Sequence, residues 1–303
     1  VHNVRFAVDK RIAEVRLVAP GQLAQSKEPP ARQWAEFRFP AVYPASLLAR
    51  VSGTAAPIKR ARYGDHMDET ATNATTPVRD RWILHFTHID NLPAIAVDNS
   101  LLCDFHARKS RSITEVGDAE IKENRRSKPV LARTSGQPAG PGGRVGDYVP
   151  FYYAPRSPMM YRIACDGRDM RPNRYQGGDS PLIYLVTTVG AIIDADLPWA
   201  ATDGNAAATV TRFANSLDAL NQLIDWPLMK ATMWKDTDAD PDRQRRRMAE
   251  FLVHDHVPLS VFRQVATYSD AHACHARGAL AGNPLADAVV VRPGWYYGYE
   301  RGR

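Results

Sequence analysis

A carboxylate at the mouth of an apolar strand is expensive unless something pairs with it. Glu250, directly before Phe251-Leu252-Val253, is such a residue. A glutamate so placed can oppose positive charge developing on a reacting carbon, whereas the plainer reading is a surface glutamate at a strand end. His85 lies in the strand-like run Trp82-Ile83-Leu84-His85-Phe86. A strand end offers a fixed backbone donor and acceptor, and an imidazole can bond a hydroxyl, although by itself His85 reads as a core histidine. The stretch leading to Glu250 carries Trp234, Lys235, Arg243, Arg245, Arg246 and Arg247. Basic groups contact phosphates and aromatic rings stack exposed bases, which is how single strands are held, but a charge run alone is more often merely solvated.

Other chemistries drop out. The chain has no Gly-Lys dipeptide, hence no P-loop, and the Gly-rich stretch from Gly136 to Gly146 lacks the strand-turn-helix setting of a dinucleotide fingerprint. Asp236-Thr237-Asp238-Ala239-Asp240 begins like a calcium loop, but Pro241 and Arg247 stand where Gly and Glu are needed. His254, His256, His272, Cys274 and His275 match no zinc spacing, so no structural metal is expected.

The elements that must position these residues form a mixed α/β pattern from Arg81 onward. The run at Trp82 to Phe86 feeds a helix capped by Asp90 or Asn91, with Leu92, Ile95 and Ala96 on one face and Pro93 in the first turn. Further strands are expected at Val149 to Ala154, Leu182 to Thr187, Glu250 to His254 and Ala288 to Arg292. Helices are expected at Ala119 to Arg126, at Leu217 to Trp226 and after Pro241. Residues 104–130 read as charged and mobile, Ser135 to Gly146 as a Gly/Pro loop that stays solvated, and the two together as a lid. Residues 1–80 read differently, with scattered apolar residues and linker-like stretches. They form an N-terminal extension before a catalytic domain at 81–303. Two readings stay open for it: a natural start at Met67 with a dispensable upstream stretch, or a small accessory domain.

Of 303 residues, 44% are hydrophobic and 24% charged, enough for a full core. The net charge of +6 favours polyanionic partners without requiring one. Cys103, Cys165 and Cys274 show no paired spacing, which argues for a reducing, cytoplasmic compartment. No apolar run suits a membrane span, and a monomer is the expected state.

Three segments carry a more specific pattern: His85-Phe86-Thr87-His88-Ile89-Asp90-Asn91-Leu92-Pro93, Val149 to Tyr161, and Met248 to Asp255. With Thr202-Asp203-Gly204-Asn205-Ala206 and the terminal Val289 to Tyr297 in the same order, the chain resembles the DarT family of bacterial toxins from about Trp82 onward. The resemblance implies an α+β, ADP-ribosyltransferase-like fold: two small packed β-sheets forming an NAD cleft, with peripheral helices. It implies a toxin that moves ADP-ribose from NAD onto a base in single-stranded DNA, partnered by a DarG-like macrodomain antitoxin. His85-Phe86-Thr87 then holds NAD, Glu250 is the catalytic glutamate, and Arg125 or Arg126 is the essential arginine on the helix that folds over NAD, paired with the pyrophosphate or set to deprotonate or orient the base. Tyr152, Tyr153, Met159 and Met160 frame a flipped-out base, with Asn205, Arg243 and Arg246 also on the DNA side. Asn205 stands where some relatives carry a histidine, which leaves the choice between thymidine and guanosine open. Two other readings compete: the same NAD chemistry on RNA or protein, and a catalytically silent nucleic-acid binding module.

Overall fold

The computed structural model describes residues 76–110, 113–131 and 139–299, together with two short strands nearer the N-terminus. The chain divides into two compact units, Val1–Arg60 and Ala61–Arg303. In the first, β1 (Val4–Phe6) and β2 (Ala35–Phe37) pair antiparallel. The expected extension at 1–80 otherwise falls largely outside the described residues.

The second unit runs β3 (Trp82–His88), α1 (Leu92–Asp98), β4 (Ser100–Leu102), α2 (Asp104–Ser110), α3 (Ala119–Ser127), β5 (Tyr148–Tyr152) and α4 (Pro158–Arg168). It continues through β6 (Leu182–Thr188), α5 (Val189–Asp194), β7 (Trp199–Thr202), β8 (Phe213–Ala214), α6 (Leu217–Leu223), α7 (Trp226–Lys230) and α8 (Arg243–Arg247). It ends with β9 (Glu250–His254), β10 (His256–Pro258), β11 (Gln264–Thr267), α9 (Asp270–Ala279) and β12 (Val289–Val291). No helix among the described residues is long and apolar enough to cross a membrane.

Eight strands form one sheet in the order β12-β11-β6-β3-β5-β9-β7-β8, and β10 pairs with β4 apart from it. Only β11 and β12 run parallel within the sheet. β6, Leu182-Ile183-Tyr184-Leu185-Val186-Thr187-Thr188, is buried at every residue but the last because it lies mid-sheet with both faces covered. The strand period of two sends Ile83, Ile183, Leu185, Phe151 and Phe251 into one core against α1, α6 and α9. Leu84, Phe86, Tyr152, Leu182 and Tyr184 join a second core with Met160 and Ile163 of α4, while Tyr148, Ala200, Leu252 and Phe213 form a third.

The sheet has a seam. β3 pairs with β6 along all seven residues but with β5 at a single register pair, Leu84 opposite Tyr152. Two four-stranded halves therefore meet at β3 and β5, and the strand edge of His85-Phe86-Thr87 turned toward β5 has no strand partner among the described residues.

Two expected elements differ. The single helix at Leu217 to Trp226 is two helices, because Ile224 is extended and Asp225 caps α7 by accepting from the Leu228 amide. Pro227 in the first turn of α7 cannot continue a helix arriving from Leu223. The loop at Ser135 to Gly146 is not wholly solvated, since Ala139, Gly142, Val145 and Gly146 are buried. Its glycines serve close packing: Gly140 sits at φ +63°, where a Cβ would lie 2.3 Å from the Trp199 carbonyl oxygen.

Candidate active site

At the seam lies a cavity of about 1040 Å³, lined among others by His85, Phe86, Thr87, Arg125, Tyr152 and Glu250. That is the upper end of the ~300–1,000 Å³ usual for small-molecule sites, room for a dinucleotide. The second core supplies Phe86 and Tyr152 to its wall and the third supplies Val145 and Tyr148.

Glu250 is the first residue of β9, opposite Tyr152, and only 1% of it is exposed. Its backbone N–H donates to the Thr202 hydroxyl at 3.0 Å, and that hydroxyl donates to the Gly204 carbonyl at 2.7 Å. Its carboxylate accepts from the Ala206 N–H at 2.9 Å. Arg125 of α3 then pairs with it: Nη1 donates to Oε1 at 3.0 Å, and Nη2 lies 2.9 Å from Oε2 as an ion-pair contact. Burial pulls the Arg125 guanidinium down, but the Glu250 carboxylate outweighs it and holds the group above its ordinary value. Arg125 is therefore a fixed cation, able to orient an anion or a base but not to accept a proton.

The neighbouring Arg126 points elsewhere. Its guanidinium bonds Asp104 of α2 at 2.8 and 2.9 Å and Glu123 at 2.8 Å. Adjacent residues on a helix diverge by about 100°, so one can face the cavity and the other cannot. The arginine on the cavity wall is Arg125, whereas Arg126, expected beside it, does not line the cavity. Gly146 permits this arrangement, since a Cβ there would sit 3.2 Å from the Arg126 Cα.

His85 reaches across the seam, its Nδ1 2.8 Å from the Pro150 carbonyl oxygen. A carbonyl only accepts, so Nδ1 carries the proton and Nε2 is left as an acceptor. Burial, reinforced by the charges of Lys122 and Arg125 and only partly offset by the Pro150 carbonyl, pushes the imidazole down to about 4. His85 is thus a neutral hydroxyl acceptor at physiological pH. Thr87 lies two residues on, its hydroxyl accepting from the Asn91 amide at 3.0 Å. Asn91 also donates to the Thr114 carbonyl at 3.1 Å and accepts from its N–H at 2.8 Å. Instead of capping α1 with its side chain, Asn91 staples β3 to the segment after α2 that walls the cavity. Nothing in its sequence position announced that role.

Of the residues expected on the DNA side, Tyr152, Met159 and Asn205 line the cavity. Phe86 stacks on Tyr152 with centroids 5.9 Å apart, and burial, aided by the Glu250 charge, pushes the Tyr152 phenol up, so it stays protonated. Asn205 turns its Oδ1 to the Ala207 N–H at 2.8 Å. The other four lie away from the wall. Tyr153 faces the opposite side of the sheet and packs on Trp226, and Met160 is buried in the second core, as the strand and helix periods require. Arg243 donates to the Met233 carbonyl at 2.8 Å, and Arg246 is held by Asp225 at 3.1 Å and Asp240 at 2.7 Å. These two brace the loop from β7 to β9 and do not face the cavity.

Arg247 goes further, for it is 5% exposed and donates to the carbonyls of Leu228, Met229 and Ala231 and, through Nη2, to Pro155 at 2.9 Å. Burial lowers its guanidinium to about 10. Outside the cavity, Cys103, His106 and Asp255 bring metal-capable atoms within 4.8 Å of one another, with His106 Nε2 2.7 Å from Asp255 Oδ1.

Comparison with known proteins bears on this geometry. A family model described as ssDNA thymidine ADP-ribosyltransferase, DarT, matches residues 84–297. A DNA ADP-ribosyl transferase from Mycobacterium tuberculosis is 42% identical over 217 residues, 71% of this chain and 89% of its own. Two solved structures of DarT from Thermus sp. 2.9, one in complex with ADP-ribosylated ssDNA and one with NAD+, match with TM-scores of 0.62 and 0.58 at 34% and 32% identity. Each match covers 72% of this chain, and 96% and 98% of the respective structures. A DNA ADP-ribosyl transferase-DNA ADP-ribosyl glycohydrolase fusion protein from Thermosipho africanus is 26% identical over 175 residues, 58% of this chain and 39% of the fusion.

Proposed function

The chain belongs to the DarT family of NAD-dependent DNA ADP-ribosyltransferases, and from that premise we propose that it transfers ADP-ribose from NAD to a thymidine base of single-stranded DNA, with Glu250 at the reacting centre. The observation that carries the reading is the buried Glu250 carboxylate, paired with Arg125, on the wall of the same cavity as His85.

The residues suit NAD. The open strand edge of β3 offers backbone groups to a carboxamide, Nε2 of His85 accepts from a ribose hydroxyl, and Arg125 supplies a cation within the cavity. When the bond from ribose to nicotinamide breaks, nicotinamide leaves with the electron pair and positive charge develops on the ribose. The Glu250 carboxylate, itself buried, opposes that charge. The base nitrogen then forms the new bond to the ribose carbon and releases its proton to Glu250. Arg125, charged throughout, keeps the carboxylate aimed and orients the base.

The thymidine acceptor is supported by the description of the matching family, and the single strand by the solved relative in complex with ADP-ribosylated ssDNA. The fused glycohydrolase of the Thermosipho relative supports a toxin role with a separate macrodomain partner that reverses the modification. Mass spectrometry of a mixed-sequence oligonucleotide after incubation with NAD tests the reading, with RNA and lysate protein as parallel acceptors. The expected product is one added ADP-ribose on thymidine, nearly absent with Glu250→Gln. Labelling of RNA or protein alone would refute it. Growth arrest on expression, relieved by a co-expressed macrodomain glycohydrolase, tests the toxin role.

A further inference from the structure

Four aromatic rings gather at the rim of the cavity. Tyr161 of α4 meets Trp234 and Tyr297 edge to face, with centroids 5.7 and 5.1 Å away, and Tyr299 at 6.4 Å. The inner members are anchored. The Trp234 indole N–H donates to the Tyr297 hydroxyl at 3.2 Å, and that hydroxyl donates to the Arg156 carbonyl at 2.9 Å. The N–H groups of Tyr297 and Gly298 donate to the buried Asp179 carboxylate at 2.6 and 3.2 Å, which fixes the segment bearing Tyr299.

The outer members are open. Tyr299 is 37% exposed, and neighbouring Met233 is 70% exposed. Cations flank the rings: the Lys235 ammonium lies 5.9 Å from the centre of the Tyr161 ring and the Arg168 guanidinium 5.1 Å from that of Tyr299. Tyr161, Trp234 and Lys235 also line the cavity, so the patch starts on the wall of the reaction chamber and continues to Tyr299 and Arg168 at the surface.

Resting on the reading of the cavity as a DNA-modifying site, we propose that this patch is a stacking platform for the nucleotides that flank the modified base. Aromatic faces alternating with cations match bases joined by phosphates, and stacking of this kind tolerates any sequence. An apolar protein partner would gain nothing from Lys235 and Arg168. The anchored inner rings hold the platform rigid, so a strand leaving the cavity meets a surface already formed.

Tyr299 is the residue to test, because it lies at the outer end and supports no core. Binding of a thymidine-centred trinucleotide and of the same sequence extended on both sides is measured by fluorescence anisotropy, and NAD binding by calorimetry. Tyr299→Ala is expected to weaken the extended strand about tenfold, to leave the trinucleotide and NAD unchanged, and to be rescued by Tyr299→Phe. Lys235→Gln is expected to lower the slope of log Kd against log salt by about 0.7. Parent-like affinity of Tyr299→Ala for the extended strand, with the parent still modifying DNA, overturns the platform and leaves the active site standing. A loss confined to NAD affinity overturns it by assigning the rings to the dinucleotide. Failure of the parent to modify any DNA overturns both readings.

Discussion

The two sides of the cavity are built by different physics. The sheet side presents His85, Tyr152 and Glu250 from strands whose alternate residues are locked in apolar cores, so each direction follows from the strand period. The loop side, between β7 and β9, has short helices and is braced by charge. Asp203 is buried between Arg212 and Arg245, Arg246 is shared by Asp225 and Asp240, and Arg247 is solvated by four backbone carbonyls. A reaction centre tolerates little displacement, whereas a recognition loop can be repositioned by exchanging ion pairs. On the function proposed above, catalysis would fall on the sheet and recognition on the loop, which would separate those demands.

Arg125 belongs to neither side, since it comes down from α3, and it should matter most after the carboxylate. Arg125→Gln is expected to lower the transfer rate by about a hundredfold, and Arg126→Gln, which loses only half-exposed pairs, by a factor of a few at most. Equal losses in single-turnover assays would mean that α3 rotates on binding NAD.

Arg247→Met should leave carbonyls unsatisfied in the interior and lower stability by about 2–4 kcal/mol, read from urea unfolding. Arg246→Gln, losing partly exposed pairs, should cost at most about 1 kcal/mol. The reverse order would show that the loop is held by its outer charges.

On the sheet side, the His85 imidazole is held near 4, below its ordinary value. The unfolded chain therefore binds more protons than the folded one between those two values. Its contribution to stability is complete above the unfolded value and is lost as pH falls toward 4. NAD affinity should accordingly be flat from about pH 8 to about pH 5. A titration of NAD binding with a midpoint near the ordinary histidine value would show the ring to be solvated. The smallest effect is expected from deleting residues 1–66, which should leave the transfer rate unchanged; a large loss would make that segment part of the working enzyme.

Much of the sheet side was readable in advance. The runs at Trp82, Val149, Leu182 and Glu250 are β-branched or aromatic and bounded by turn residues, and the structure forms strands there within a few residues. Glu250, a carboxylate before an apolar strand, called for a partner, and the structure supplies Arg125. The loop side was not readable, because a row of arginines looks the same whether it faces solvent, aspartates or carbonyls. Which of Arg125 and Arg126 reaches Glu250 depends on how α3 is rotated, and that is decided by Asp104 and Gly146 far along the chain. Tyr153 and Met160 do not line the cavity because each is adjacent to the residue that does, one step out of phase. The staple made by Asn91 needs Thr114 beside it, a tertiary contact with no local pattern.

In the proposed reaction Glu250 acts on the ribose in the transition state more than it holds NAD in the ground state. Calorimetry of NAD binding alongside single-turnover transfer to a thymidine-containing oligonucleotide measures this directly for Glu250→Gln. The expected result is a rate lower by about a hundredfold to a thousandfold with NAD affinity changed only a few-fold. A transfer rate near that of the parent, or a loss that appears wholly as weaker NAD binding, would contradict it.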